Sequence, residues 1–168
     1  MLPELAQRGG FNPTLTVKVR ILSATTSNSS GDEMAGQKTV LVVDDEACFR
    51  EFAADALSAA GFLTSVAGDG HEAIRSLQVM PFDLAVVDIL MPEKEGIETI
   101  IEIKRRWPDC KVVAMAGDGR VPAAQYLRIA AHFGADALLT KPFSATEVAA
   151  VVTNLLAAGP LAAPLKAA

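Results

Sequence analysis

Leu84-Ala85-Val86-Val87-Asp88-Ile89-Leu90-Met91-Pro92 is the stretch that decides how this chain folds. Four apolar residues stop at one aspartate, and a proline follows four positions later. An unbroken aliphatic run of that length suits a strand covered on both faces. Such a strand cannot hold an unpaired carboxylate in its middle. It can present one at its carboxyl end, where the backbone turns toward solvent. In open α/β sheets that edge is where ligands bind. Asp88 is therefore either a turn residue, a common use of aspartate, or part of a site.

The sequence on either side repeats the pattern. Val40-Leu41-Val42-Val43 reads as a first buried strand and runs into Asp44-Asp45-Glu46. A helix follows from about Glu46 to Ala60, with Phe49, Phe52, Ala53, Ala56 and Leu57 at the spacing of one apolar face, and Gly61 placed to stop it. Phe62 to Val66 is a short strand, and Asp69 can cap a helix carrying Ala73, Ile74 and Leu77. After the Asp88 strand, a helix from about Gly96 to Trp107 sets Ile97, Ile100 and Ile101 on one face. Val112-Val113-Ala114-Met115 is the fourth strand, and a helix from about Pro122 to Phe133 ends at Gly134. Ala137-Leu138-Leu139-Thr140 is the fifth strand, followed by Lys141-Pro142. Ser144 and Glu147 form a capping box for a last helix that buries Val148, Val151, Val152, Leu155 and Leu156. Strands alternating with helices through short connections imply right-handed crossovers. The expected fold is a doubly wound α/β domain over residues 37–158 with a five-stranded parallel sheet and helices on both faces.

The ends of the chain differ from this core. Residues 1–36 include a polar Ser/Thr/Asn tract from Ser23 to Gly31 and read as a disordered extension. Met34, just ahead of the first strong strand, is an alternative start. Residues 159–168 read as a flexible Ala/Pro-rich tail.

The 168 residues suit one ordinary domain. The chain is 51% hydrophobic but only 5% aromatic, so its core must be aliphatic. A net charge of -5 argues against a nucleic-acid partner, which needs clustered Lys and Arg. Lys104-Arg105-Arg106 reads more simply as a cationic last helical turn. Cys48 and Cys110 lack disulfide or metal spacing, and no apolar run approaches the roughly 20 residues of a membrane span. A cytoplasmic protein without a membrane association is expected. His71 and His132 are isolated on predicted helices, and Cys48 reads as a packing residue.

In such a fold the residues just past each strand meet on one edge. Asp44, Asp45, Asp88 and Lys141 therefore converge, with Ala116-Gly117 beside them. Three carboxylates repel one another unless a cation sits among them. A hard divalent ion taking oxygen ligands fits, and Mg²⁺ is the natural candidate. A carboxylate beside Mg²⁺ and a lysine is equipped to accept a phosphoryl group, because that transfer is mostly positioning and charge neutralisation.

Val40-Leu41-Val42-Val43-Asp44-Asp45-Glu46, Val87-Asp88-Ile89-Leu90-Met91-Pro92 and the segment Gly134 to Phe143 resemble the three signature segments of bacterial response-regulator receiver domains. The resemblance spans the whole domain in the right order. It implies a flavodoxin-like strand order, 2-1-3-4-5. It also implies that Asp88 is phosphorylated by a histidine kinase or histidine phosphotransfer protein, and that Lys141 pairs with the phosphoryl group. Asp44, Asp45, Asp88 and the carbonyl of Leu90 would hold Mg²⁺, and the Lys141–Pro142 bond would be cis. Such a chain would be a stand-alone regulator that signals through protein contact, through a surface within residues 122–158. It would have no separate catalytic domain.

Two positions depart from the family's switch. A Ser or Thr usually ends the fourth strand, and Ala116 stands there. An aromatic residue usually sits three places before the lysine, and Leu138 stands there. The segment Ala116–Lys141 is also a few residues longer than usual, around Gly117-Asp118-Gly119-Arg120. These features keep open a second reading, a degenerate receiver whose binding ignores phosphorylation. A third, a phosphatase working through an aspartyl-phosphate, fits less well, because the haloacid-dehalogenase pattern puts its nucleophile after the first strand.

Overall fold

A computed structural model describes residues 36–91, 96–117 and 122–157. The expected extension up to residue 35, the loop residues 118–121 and the tail beyond Ala157 lie outside the described residues. The elements are β1 (Thr39–Val43), α1 (Ala47–Ala59), β2 (Leu63–Ala67), α2 (Gly70–Val79), β3 (Leu84–Asp88), α3 (Gly96–Arg106), β4 (Lys111–Ala116), α4 (Ala123–His132), β5 (Ala137–Thr140) and α5 (Ala145–Ala157).

The strands form one parallel sheet in the order β2-β1-β3-β4-β5, as the resemblance implies. The order reverses at β1 and β3, whose carboxyl ends lie side by side with Val43 in register with Val87. That reversal opens a crevice at the sheet's carboxyl edge.

The uniform apolar runs are explained by a period-two split between two layers. Leu41, Val43, Ala85, Val87, Val112 and Ala114 pack against α2, α3 and α4 through Ile74, Leu77, Ile100, Ile103, Leu127 and Ala130. Val40, Val42, Leu84, Val86, Val113 and Met115 pack against α1 and α5 through Ala53, Leu57, Val148 and Val152. Both faces of β1 and β3 are therefore dry, and every residue of β3 is buried.

The local signals operate as expected at several ends. The Asp69 side chain accepts from the Glu72 N–H at the start of α2. Ser144 and Glu147 form their reciprocal box, with Ser144 N–H donating to Glu147 Oε2 at 2.7 Å and Glu147 N–H donating to Ser144 Oγ at 3.2 Å. Gly134 carries a φ of +100° just past α4, a conformation that favours glycine. The Lys141–Pro142 bond is cis.

Two helix faces differ from expectation in phase. In α1 the buried residues are Ala53, Ala54 and Leu57, while Phe52 is 42% exposed and Phe49 half-buried. Ala53, Ala54 and Leu57 make the face that meets the sheet. Phe52 is displaced to the seam with the segment leading into α5, its ring 6.2 Å from that of Phe143. In α3 the buried set is Gly96, Thr99, Ile100 and Ile103, and Ile101 is exposed. A helix advances about 100° per residue, so the buried face runs through 96, 99, 100 and 103 and passes Ile101 by. In α5, Val148 and Val152 are fully buried while Val151, Leu155 and Leu156 are only partly so. Cys48 is exposed rather than packed, and Cys110 is buried, its thiol pushed up to about 12 by burial. His71 and His132 are exposed. No helix among the described residues is long and apolar enough to cross a membrane.

Candidate functional site

Asp88 is the last residue of β3 and is only 4% exposed. Its Oδ1 accepts the Leu90 N–H at 3.0 Å, so the carboxylate folds back over the turn that follows the strand. Ile89 N–H donates to Met115 O at 2.9 Å and Gly96 N–H donates to Ile89 O at 3.1 Å. Those bonds lock the turn to β4 on one side and to the start of α3 on the other. Gly96 sits so tightly there that a Cβ would lie 1.9 Å from the Asp88 carbonyl oxygen.

Asp44 follows β1 and is fully buried, whereas Asp45 is exposed. The Asp44 N–H donates to Ala67 O at 3.2 Å, and Asp44 Oδ1 accepts the Glu46 N–H at 2.9 Å. Lys141 follows β5, and its N–H donates to Ala116 O at 2.8 Å. Its buried ammonium reaches across the edge to donate to Asp44 Oδ2 at 2.6 Å and to Asp88 Oδ2 at 2.5 Å. One face of that ammonium is covered by the Phe49 ring, 4.6 Å from its centroid.

Asp44, Asp45 and Asp88 each bring a carboxylate oxygen within 4.8 Å of the other two. Three carboxylates and one ammonium leave the cluster with a net negative charge, and Asp44, Asp88 and Lys141 carry theirs buried. Burial pushes the Asp44 carboxyl above the usual carboxylate range; the Lys141 hydrogen bond and charge pull against that, and the Asp88 charge adds to it. Burial alone would pull the Lys141 ammonium down, but its bonds to Asp44 and Asp88 outweigh that and hold it above the ordinary lysine value. The lysine is thus a fixed cation at neutral pH. The donors are all oxygens, which suits a hard divalent cation such as Mg²⁺, and an ion there would supply the missing charge.

The residues expected to meet at this edge do so: Asp44, Asp45, Asp88 and Lys141 form the cluster. Ala116 ends β4, fully buried and in register with Thr140, and brings no hydroxyl. Leu138 is 42% exposed on the outer strand β5, away from the cluster. The Leu90 side chain is exposed. Asp118 lies outside the described residues.

Three neighbours were not legible as site residues. Phe49 covers the lysine, Gly96 admits the turn after Asp88, and Arg50 Nη1 donates to Asp44 O at 2.6 Å and to Asp45 O at 3.4 Å. Phe49 and Arg50 lie four and five residues past Asp45, one turn into α1, so a helix drawn backward from Leu57 could have placed them over the loop.

Fold and site together define a class, a doubly wound α/β domain with an acidic cluster and a lysine at its switch point. Residues 40–153 match the response regulator receiver domain, and the chain belongs to that family. It is 34% identical over 113 residues to the chemotaxis protein CheY of Thermotoga maritima, covering 66% of this chain and 91% of that one. It is 32% identical over 126 residues to the sensor kinase CckA of Brucella abortus, covering 74% of this chain and 13% of the kinase. The crystal structure of the receiver domain of NtrX from Brucella abortus superposes with a TM-score of 0.66 at 30% identity, over 71% of this chain and 98% of that one. The chain spans 13, 61 and 49% of the length of three curated relatives, so it matches one module of larger proteins as well as nearly the whole of a small one.

Proposed function

We propose that the protein is a two-component response regulator in which Asp88 accepts a phosphoryl group from a phosphohistidine on a histidine kinase or histidine phosphotransfer protein. The observation that carries this reading is the buried Asp88 carboxylate, sharing the Lys141 ammonium with Asp44 beside a third carboxylate, Asp45. An Asp88 oxygen forms the new bond to phosphorus as the phosphorus–nitrogen bond breaks, and the imidazole leaves with the electron pair. Lys141 holds the Asp88 carboxylate in place and then offers its charge to the incoming phosphoryl oxygens. Asp44 and Asp45, with Asp88 and the Leu90 carbonyl, would hold Mg²⁺, which would supply positive charge to offset that of the phosphoryl group. Phe49, packed over the ammonium, limits water on that side.

The output runs through protein contact, by way of the face built from α4, β5 and α5 within residues 122–158. A cytoplasmic setting, with both cysteines unpaired, is consistent with such donors. The Ala116 position favours a second reading. A hydroxyl there would donate to a phosphoryl oxygen, and a bond to a charged group contributes about 1.5–3 kcal/mol. Without it, and with Leu138 in place of an aromatic residue, phosphorylation couples weakly to the surface, and partner binding that ignores the phosphoryl group becomes the alternative.

The test is incubation with Mg²⁺ and acetyl phosphate followed by intact mass analysis. The expected result is a single Mg²⁺-dependent phosphoryl adduct that Asp88→Asn abolishes. An adduct of equal yield in the Asp88→Asn protein would overturn the assignment.

A further inference from the structure

We infer that Arg50 is a positioning residue that holds the backbone of the Asp44–Asp45 loop so that both carboxylates turn into the cation site. The inference rests on the reading of those two residues as cation ligands and adds what sets their orientation.

The geometry is a clamp from behind. The Arg50 N–H closes the first turn of α1 onto Glu46 O at 3.0 Å, which fixes where the side chain begins. The guanidinium then reaches back over the loop and donates to Asp44 O at 2.6 Å and Asp45 O at 3.4 Å. Both bonds go to main-chain carbonyls, which leaves the carboxylate oxygens of the loop to face the crevice. Arg50 also lies against the loop after β2. A Cβ on Gly68 would meet Arg50 Nη1 at 3.7 Å and Glu72 Oε2 at 3.5 Å, and the Gly68 N–H donates to that same Glu72 oxygen at 2.7 Å. The Asp44 N–H donates to Ala67 O, so the two loops are joined on both sides of the guanidinium. Both bonds come from the one nitrogen Nη1, and a lysine side chain, one bond shorter, does not bring its ammonium to the same point.

The competing role is that of a countercharge, and it has the opposite sign. A cation behind the loop repels a divalent ion, so removing a mere countercharge would tighten cation binding. Removing a positioning group loosens it, and partners that orient metal ligands typically contribute about 10–100-fold in affinity.

The experiment is calorimetric titration of the full chain with Mg²⁺ alone, comparing wild type, Arg50→Ala, Arg50→Lys and Thr39→Val. Thr39 lies at the far end of β1, where its hydroxyl contacts Asp83, and serves as a control for general loss of stability. The expected result is about tenfold weaker Mg²⁺ binding for Arg50→Ala, an intermediate loss for Arg50→Lys, and no change for Thr39→Val. Amide exchange in EDTA supplies a metal-free readout: the Glu46 N–H, held by Asp44 Oδ1, exchanges faster in the Arg50 variants. Unchanged or tighter binding in Arg50→Ala overturns the inference, as does an equal loss in Thr39→Val. Should Arg50→Ala fail to fold, Arg50→Lys decides: weaker binding supports the role, and wild-type affinity overturns it. A wild type without saturable Mg²⁺ binding, indistinguishable from Asp45→Asn, would overturn the cation site itself.

Discussion

The two edges of the sheet both carry aspartates, and they treat them in opposite ways. At the amino edge Asp83 accepts from Thr39 N–H at 2.9 Å, Thr39 Oγ1 at 3.0 Å and Lys38 Nζ at 2.7 Å. Asp136 accepts from Val112 N–H at 2.7 Å and pairs with Lys104 at 2.5 Å and Lys111 at 3.7 Å. Each carboxylate there has a cation and a backbone donor of its own, and its work is to tie neighbouring strands together. At the carboxyl edge Asp44 and Asp88 share one lysine beside a third carboxylate, Asp45, and burial pushes Asp44 up. Asp83 is displaced the other way: its partial burial is outweighed by bonds from Lys38 and Thr39, which hold it below the usual range. Balanced charge marks a structural carboxylate. Charge left in excess is what a bound cation would balance, as proposed for this edge.

The largest way to break this contrast is at Gly96. An added Cβ would meet the Asp88 carbonyl and Ile89 Cα, both main chain, at 1.9 and 2.5 Å. Gly96→Ala is expected to cost more than about 2 kcal/mol by overpacking and to weaken Mg²⁺ binding, measured by denaturant unfolding and by titration. Gly36→Ala, ahead of β1 at the other edge, meets nothing within 4 Å and leaves both unchanged. Equal behaviour of the two variants would mean that the turn after Asp88 is not fixed by this contact.

A smaller effect sharpens the amino edge. Asp83→Asn is expected to destabilise by about 1 kcal/mol at neutral pH, the low end for a half-exposed charged hydrogen bond. Its pH dependence has a definite sign. Because the folded pKa of Asp83 is depressed, its contribution is present above the unfolded value of about 3.9 and is lost as pH falls through the folded value. The difference between wild type and Asp83→Asn should therefore shrink to nothing in acid. A difference that persists there would assign the effect to packing.

The fold and the cluster were legible for one reason. Val40–Val43 and Leu84–Val87 are apolar without interruption and stop at aspartates that cannot be buried unpaired, and the fifth strand runs into Lys141. In a parallel sheet all such stops fall on one edge, so Asp44, Asp45, Asp88 and Lys141 could be placed together before any coordinates. The cap at Asp69 and the box at Ser144 and Glu147 were legible because they are local. Phase within helices was not. Phe49, Phe52 and Ile101 look like core residues by hydropathy, but α1 turns Ala53, Ala54 and Leu57 to the sheet and α3 turns Thr99, Ile100 and Ile103. Arg50, Phe49 and Gly96 matter through contacts across loops, which period and propensity do not encode.

The most direct test of the contrast is equilibrium unfolding of wild type and Asp88→Asn, in EDTA and again in Mg²⁺. Asparagine keeps the oxygen that accepts from Leu90 N–H, gives up the bond from Lys141, which keeps its bond to Asp44, and removes one of the crowded charges. In EDTA the variant is expected to be more stable than wild type by about 1 kcal/mol, because like charges are relieved. In Mg²⁺ the wild type is expected to gain stability while the variant gains little. A variant less stable than wild type in EDTA, with both proteins responding equally to Mg²⁺, would contradict the claim that the carboxyl edge holds charge awaiting a cation.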